Sequence, residues 1–162
     1  MKKLLSATLA AALCLSASSA VFAADTQINE STVDPKNANT TITASKPATY
    51  TVVIPESATA EYDVEDNTIG DIVYVSGNLE PNAKVTVELT GASDFTNDKD
   101  SNSKIPYSIE SNGTVFTAAD FPENTADGTK VPLSVKITKS DWAEAKAGQY
   151  TATLTFTVTY TA

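Results

Sequence analysis

Residues 142–161 read W-A-E-A-K-A-G-Q-Y-T-A-T-L-T-F-T-V-T-Y-T. From Tyr150 the residues alternate without a slip. Tyr150, Ala152, Leu154, Phe156, Val158 and Tyr160 point one way, and Thr151, Thr153, Thr155, Thr157 and Thr159 point the other. A period of two puts successive side chains on opposite faces of a pleated strand, whereas a helix would scatter them. Threonine and aromatic residues also suit a strand intrinsically. The pattern predicts a long C-terminal strand that buries one apolar face, with earlier strands pairing with it or packing over it.

Working back from that strand, 140–148 is the only convincing helical piece. Ser140 is a plausible N-cap, Asp141 and Glu144 sit in the first turn, and Gly148 supplies a stop. The spacing predicts a helix of one to two turns just before the last strand. Upstream, 130–138 places Val131, Leu133, Val135 and Ile137 on one face, and Ile105, Tyr107 and Ile109 form another inward row. Asn112-Gly113 is a hairpin signal of the type I′ kind, with 115–118 as the short partner. In 83–90, Val85, Val87 and Leu89 alternate with Thr86, Glu88 and Thr90, the mark of an antiparallel sheet with one wet face. The stretch 71–77 is apolar on both faces, which predicts a central strand. Tyr50, Val52 and Ile54 define a strand over 48–55, bounded by Pro47 and Pro55, where a missing N–H matters little. A short strand is expected over 39–45, and polar loops over 56–71, 93–104 and 122–128. About seven to nine short strands with almost no helix predict an all-β, immunoglobulin-like antiparallel β-sandwich with one short helix before the last strand. Trp142 and Tyr150 are expected to pack over one end of its core.

The N-terminus reads differently. Lys2 and Lys3, the apolar run 4–15 and Val21-Phe22-Ala23 make a signal peptide over 1–23, cut after Ala23. Ala11-Ala12-Leu13 before Cys14 lacks the leucine at minus three and the small residue at minus one that a lipidation motif needs. Residues 24–38 are polar, aperiodic and hold Pro35, so they read as a flexible leader. The β-sandwich domain is then 39–162. After cleavage the chain keeps nine Lys against 20 Asp and Glu, a charge of −11, with no Cys, His or Arg. Disulfides are therefore excluded despite the oxidising destination. Nucleic acid and anionic membranes are disfavoured as partners because they repel such a surface. No membrane span is expected after signal cleavage. The expected location is secreted, extracellular or cell-surface.

The same composition disfavours catalysis. Without His or Cys, neither the usual nucleophile–base pairs nor the usual zinc ligand sets can be built. Carboxylates are plentiful, yet no two are marked as a convergent pair. The protein is therefore expected not to be an enzyme and to need no cofactor, with Ca²⁺ as the one candidate ligand. Asp94, Asp98, Asp100 and Asn102 carry that candidacy, since Asp98-x-Asp100-x-Asn102 imitates the start of a calcium loop. Serine stands where the turn glycine belongs, and Ile109 where the bidentate Glu would be, so this is not an EF-hand. Tyr62, Tyr74 and Trp142 are the aromatics available for a glycan platform. Alternation through Thr41, Ile42, Thr43 and Ala44 marks the leader as a possible donor strand for the edge of another sheet.

Two families share these patterns. T-I-T-A followed by Y-T-V-V-I-P, over 41–55, resembles the opening of small Thr-rich immunoglobulin-like proteins exported by Gram-positive gut bacteria. The closing A-G-Q-Y-T-A-T-L-T-F-T-V-T-Y, over 147–160, resembles the last strand of the spore coat protein U and archaic chaperone–usher pilin domain. The first resemblance implies export and a sandwich fold. The second implies a subunit that assembles by strand exchange. Neither supplies catalytic residues. The functional expectation is a non-enzymatic cell-surface or extracellular structural or adhesion module. Its partners would be other copies of itself, other surface proteins or glycans. The alternatives are a pilin-like subunit and a carbohydrate-binding module.

Overall fold

The computed structural model describes residues 38–162. The expected signal peptide and nearly all of the expected leader lie outside the described residues. Eleven strands and one helix follow in order: β1 (Thr49–Val53), β2 (Asp66–Asn78), β3 (Lys84–Ala92), β4 (Phe95–Asn97), β5 (Asp100–Ile105), β6 (Ser108–Ser111), β7 (Thr114–Val115), β8 (Ala118–Pro122), β9 (Thr129–Lys136), α1 (Lys139–Glu144), β10 (Tyr150–Thr151) and β11 (Leu154–Thr161). Breaks at 93–94 and 152–153 divide two long runs into β3 and β4, and into β10 and β11. Counted as runs, the strands number nine. Ser93 and Thr153 still bond to each other across both breaks, at 3.2 Å and 3.1 Å.

All pairings are antiparallel. One sheet has the order β1-β2-β9-β6-β7, and facing it lie β11-β3-β8 and β10-β4-β5. The fold is an all-β sandwich. Its core comes from the inward rows of both sides. Ile72 and Tyr74 of β2, Leu133 and Val135 of β9, Val85 and Val87 of β3 and Phe121 of β8 are buried in a single cluster. Tyr74 and Phe121 stack across the gap with centroids 5.4 Å apart. As expected, 71–77 is central, between β1 and β9. Asn112 and Gly113 take positive φ values of 51° and 75° in the β6–β7 hairpin, as a type I′ turn requires.

Several local expectations are corrected. No strand forms over 39–45, where Ile42 is 90% exposed. Alternation there is sound, but no neighbouring strand accepts its backbone groups, and a lone strand in water is not stable. The expected polar loop 93–104 holds the β4–β5 hairpin, because Phe95, Asn97, Ser103 and Ile105 face inward and polarity hid that alternation. β2 starts at Asp66, inside the expected loop 56–71. The helix is capped by Thr138, not Ser140. The Thr138 side chain accepts from the Asp141 N–H, and the helix ends at Ala145, before Gly148.

Tyr74 and Gly77 are fitted to each other. The Tyr74 hydroxyl occupies the space that a Cβ at position 77 would need, and it has no hydrogen-bond partner among the described residues. Gly77→Ala is therefore expected to destabilise by about 1–3 kcal/mol through overpacking. Tyr74→Phe, which removes an unsatisfied hydroxyl, is expected to be close to neutral or stabilising. Urea denaturation of both variants and of the double variant checks this, with part of the Gly77→Ala loss recovered in the double.

Candidate functional site

The C-terminal run β10–β11 is where the fold leaves chemistry exposed. Both strands lie at the end of their sheets, paired on one side only, with β4 and β3. The expected apolar row is present, yet Leu154, Phe156, Val158 and Tyr160 are each half-buried, because no strand covers their outer flank. The threonines form the wet face, where Thr157 bonds to Thr90 at 2.9 Å.

Other edges are blunted and this one is not. β1 has five residues between Pro47 and Pro55, and β7 has two. β8 holds Asp120 and Pro122, and Asp120 bonds to Lys84 at 2.7 Å. β5 carries Asp100 and Lys104. By contrast, 150–161 contains no charge and no proline, the devices that usually keep an edge from pairing.

Beside this edge the two sheets part. A cavity of about 280 Å³ opens between Pro55, Ile69, Tyr107, Val135, Leu154 and Phe156. The Tyr107 and Tyr160 hydroxyls are buried without a partner among the described residues. Burial, and secondarily Asp94, raises the Tyr107 hydroxyl above the ordinary tyrosine value. At the far end Tyr160 stacks on Tyr50 of β1 at 6.1 Å.

The A-G-Q-Y stretch before the last strand has a definite structural task. Gly148 has a φ of 154°, and its missing side chain makes room for buried Asn97, whose amide occupies the space a Cβ would fill. The Tyr150 hydroxyl donates to the Lys146 carbonyl at 2.9 Å and meets Ser103 Oγ at 2.8 Å. Lys146 in turn reaches Asp100 at 2.8 Å. These contacts tie the 145–149 connection to the β4–β5 hairpin.

Two of the calcium candidates, Asp94 and Asp100, lie beside lysines. Asp100 pairs with Lys146 and accepts the Asn102 N–H at 3.1 Å, and Asp94 lies 3.5 Å from Lys104. Asp98 contributes its backbone N–H to the Gln149 carbonyl at 2.9 Å. No grouping of three or more His, Cys, Asp or Glu side chains suited to a metal occurs among the described residues. Of the candidate glycan aromatics, Tyr74 is buried in the core, whereas Tyr62 and Trp142 come together. Sequence reasoning did not find Lys146 or Tyr107, since an isolated Lys in a helix-like stretch and one Tyr in an apolar row carry no distinctive signal.

No helix among the described residues is long and apolar enough to cross a membrane. The chain matches no protein-family model and no curated protein.

Lys146, then the Asn102 N–H, holds the Asp100 carboxyl below the ordinary carboxylate value, and Asp100 raises Lys146. A depressed carboxylate stabilises above its unfolded value, and that contribution is lost as pH falls through the folded one. NMR titration is expected to place the Asp100 midpoint below that of a free aspartate, and Lys146→Ala to return it towards the ordinary value.

Proposed function

We propose that this protein is an exported, non-enzymatic module of the cell surface or extracellular space, with a structural or adhesive role, joined to neighbours by strand addition at β10–β11. One observation carries the reading: a long edge without charge or proline borders a gap between the sheets. An added strand would pair with the free backbone groups of the edge, and its alternate side chains would enter the gap. The unpartnered hydroxyl of Tyr107 at the gap would gain a polar neighbour, which buried groups ordinarily have.

The segment best suited to this addition is the leader of another copy. Thr41, Ile42, Thr43 and Ala44 alternate, and 38–47 is exposed throughout the described part. Lys46 bonds to Asn78 at 2.9 Å, at the end of β2. The likeness of the opening and closing strands to exported sandwich proteins and pilin domains supports the same reading.

Size-exclusion chromatography with light scattering tests it, on a chain starting at Ala24 and on one starting at Ala48. Concentration-dependent oligomers are expected from the first and a monomer from the second. A monomer in both cases at high concentration would remove strand addition from the proposal.

A further inference from the structure

We infer that a second site, at the end of the sandwich, binds a neutral saccharide. A cleft of about 840 Å³ lies between the 58–62 segment and the stretch from α1 to β10. That volume is within the range of small-ligand sites, roughly 300–1,000 Å³.

The mouth of the cleft is built around a ring held in water. Tyr62 is 77% exposed, which is unusual for so large a side chain, and yet its backbone is braced. The buried Asn67 side chain accepts the Glu61 N–H at 2.7 Å and donates to the Val64 carbonyl at 2.9 Å. Trp142 Nε1 donates to the same carbonyl at 3.2 Å, which locks helix α1 to the turn. Asp63, between them, takes a φ of 60°, a conformation that non-glycine residues seldom adopt. Tyr62 meets the Trp142 ring edge to face, with centroids 5.6 Å apart. A pre-set aromatic surface lowers the ordering cost of binding, whereas an exposed ring serving only the core would not need such a frame.

The walls select the ligand. Aromatic and alanine surfaces alternate with hydroxyl and amide groups. The side chains of Thr59, Gln149 and Thr151 line the cleft with no hydrogen-bond partner among the described residues. Such a lining matches a molecule with C–H faces and a rim of hydroxyls. Lys146, the one cation in the wall, is already paired with Asp100, and Glu61 and Asp63 flank Tyr62. An anionic ligand would find repulsion and no free cation. A neutral sugar satisfies both constraints. The two sites adjoin at β10, whose Tyr150 and Thr151 also line the cleft. Strand addition does not use Tyr62, so oligomeric state and the effect of Tyr62→Ala on glycan binding test the two proposals separately.

Trp142 is the only tryptophan in the chain, and it reports on the site directly. The purified protein is run in native gels containing glycogen, mixed-linkage β-glucan, galactomannan or polygalacturonate. It is then titrated with neutral oligosaccharides of the same linkages, following Trp142 emission. Retardation in at least one neutral gel is expected, together with a saturable emission change. Tyr62→Ala should weaken binding about tenfold or more, as loss of an aromatic anchor does, with unchanged melting temperature and oligomeric state. Tyr62→Phe should keep most of it. No retardation and no emission change with any neutral glycan overturns the inference. So does retardation that survives Tyr62→Ala, or retardation by polygalacturonate alone.

Discussion

Burial between the sheet that carries Ile72 and Tyr74 and the one that carries Val85, Val87 and Phe121 is the interaction on which the rest of this domain depends. No disulfide is available after residue 14, because Cys14 is the only cysteine. The described domain is therefore held by apolar area removed from water and by the antiparallel ladders that let two sheets form at all. Its ion pairs lie at or near the surface, where such pairs contribute little. A chain of this size can stand on burial alone, provided enough apolar residues face inward. Ile72 and Tyr74 of β2, Val85 and Val87 of β3, and Leu133 and Val135 of β9 supply such residues in the three strands nearest the centre.

That sufficiency has a consequence at the periphery. Since the central strands close the core, β10–β11 can remain half-covered without unfolding the sandwich. Its apolar row is long and regular, as a buried strand would be, but its position is that of an edge. Natural edges are ordinarily interrupted by charge, proline or shortness, and β1, β5, β7 and β8 each use one of these. The exception is coherent with a surface meant to be covered. The end of the sandwich follows a different logic. There Asn67, Val64 and Trp142 fix an exposed turn in place, and Gly148, Asn97, Tyr150 and Lys146 fix the opposite wall. Both walls of the cleft are thus tied by specific contacts, though neither lies within a long element.

The particular residues that were hard to read share a physical cause. Phe95, Asn97, Ser103 and Ile105 line an inward face with two polar members, and polarity concealed the hairpin. Tyr62 and Trp142 lie 80 positions apart in sequence, so their meeting depends on the turn at 61–64 and the helix both docking on the same end. Asp94 and Asp100 looked like metal ligands because spacing alone is visible in a sequence. Folding sets Lys104 beside Asp94 and Lys146 beside Asp100, neighbours that no spacing could foretell.

By itself the sequence determined the all-β class, the short helix, the central place of 71–77, the Asn112-Gly113 turn and the absence of any disulfide. These follow from local periodicity, turn chemistry and composition, which need no knowledge of partners. Only the tertiary structure decided that the most regular strand is an edge, that 39–45 stays unpaired, and that Tyr62 and Trp142 meet at the mouth of a cleft. Each of those depends on which strand or loop lies alongside, and hydrogen-bond partners between distant segments are set by the packing of the whole sandwich rather than by any stretch within it.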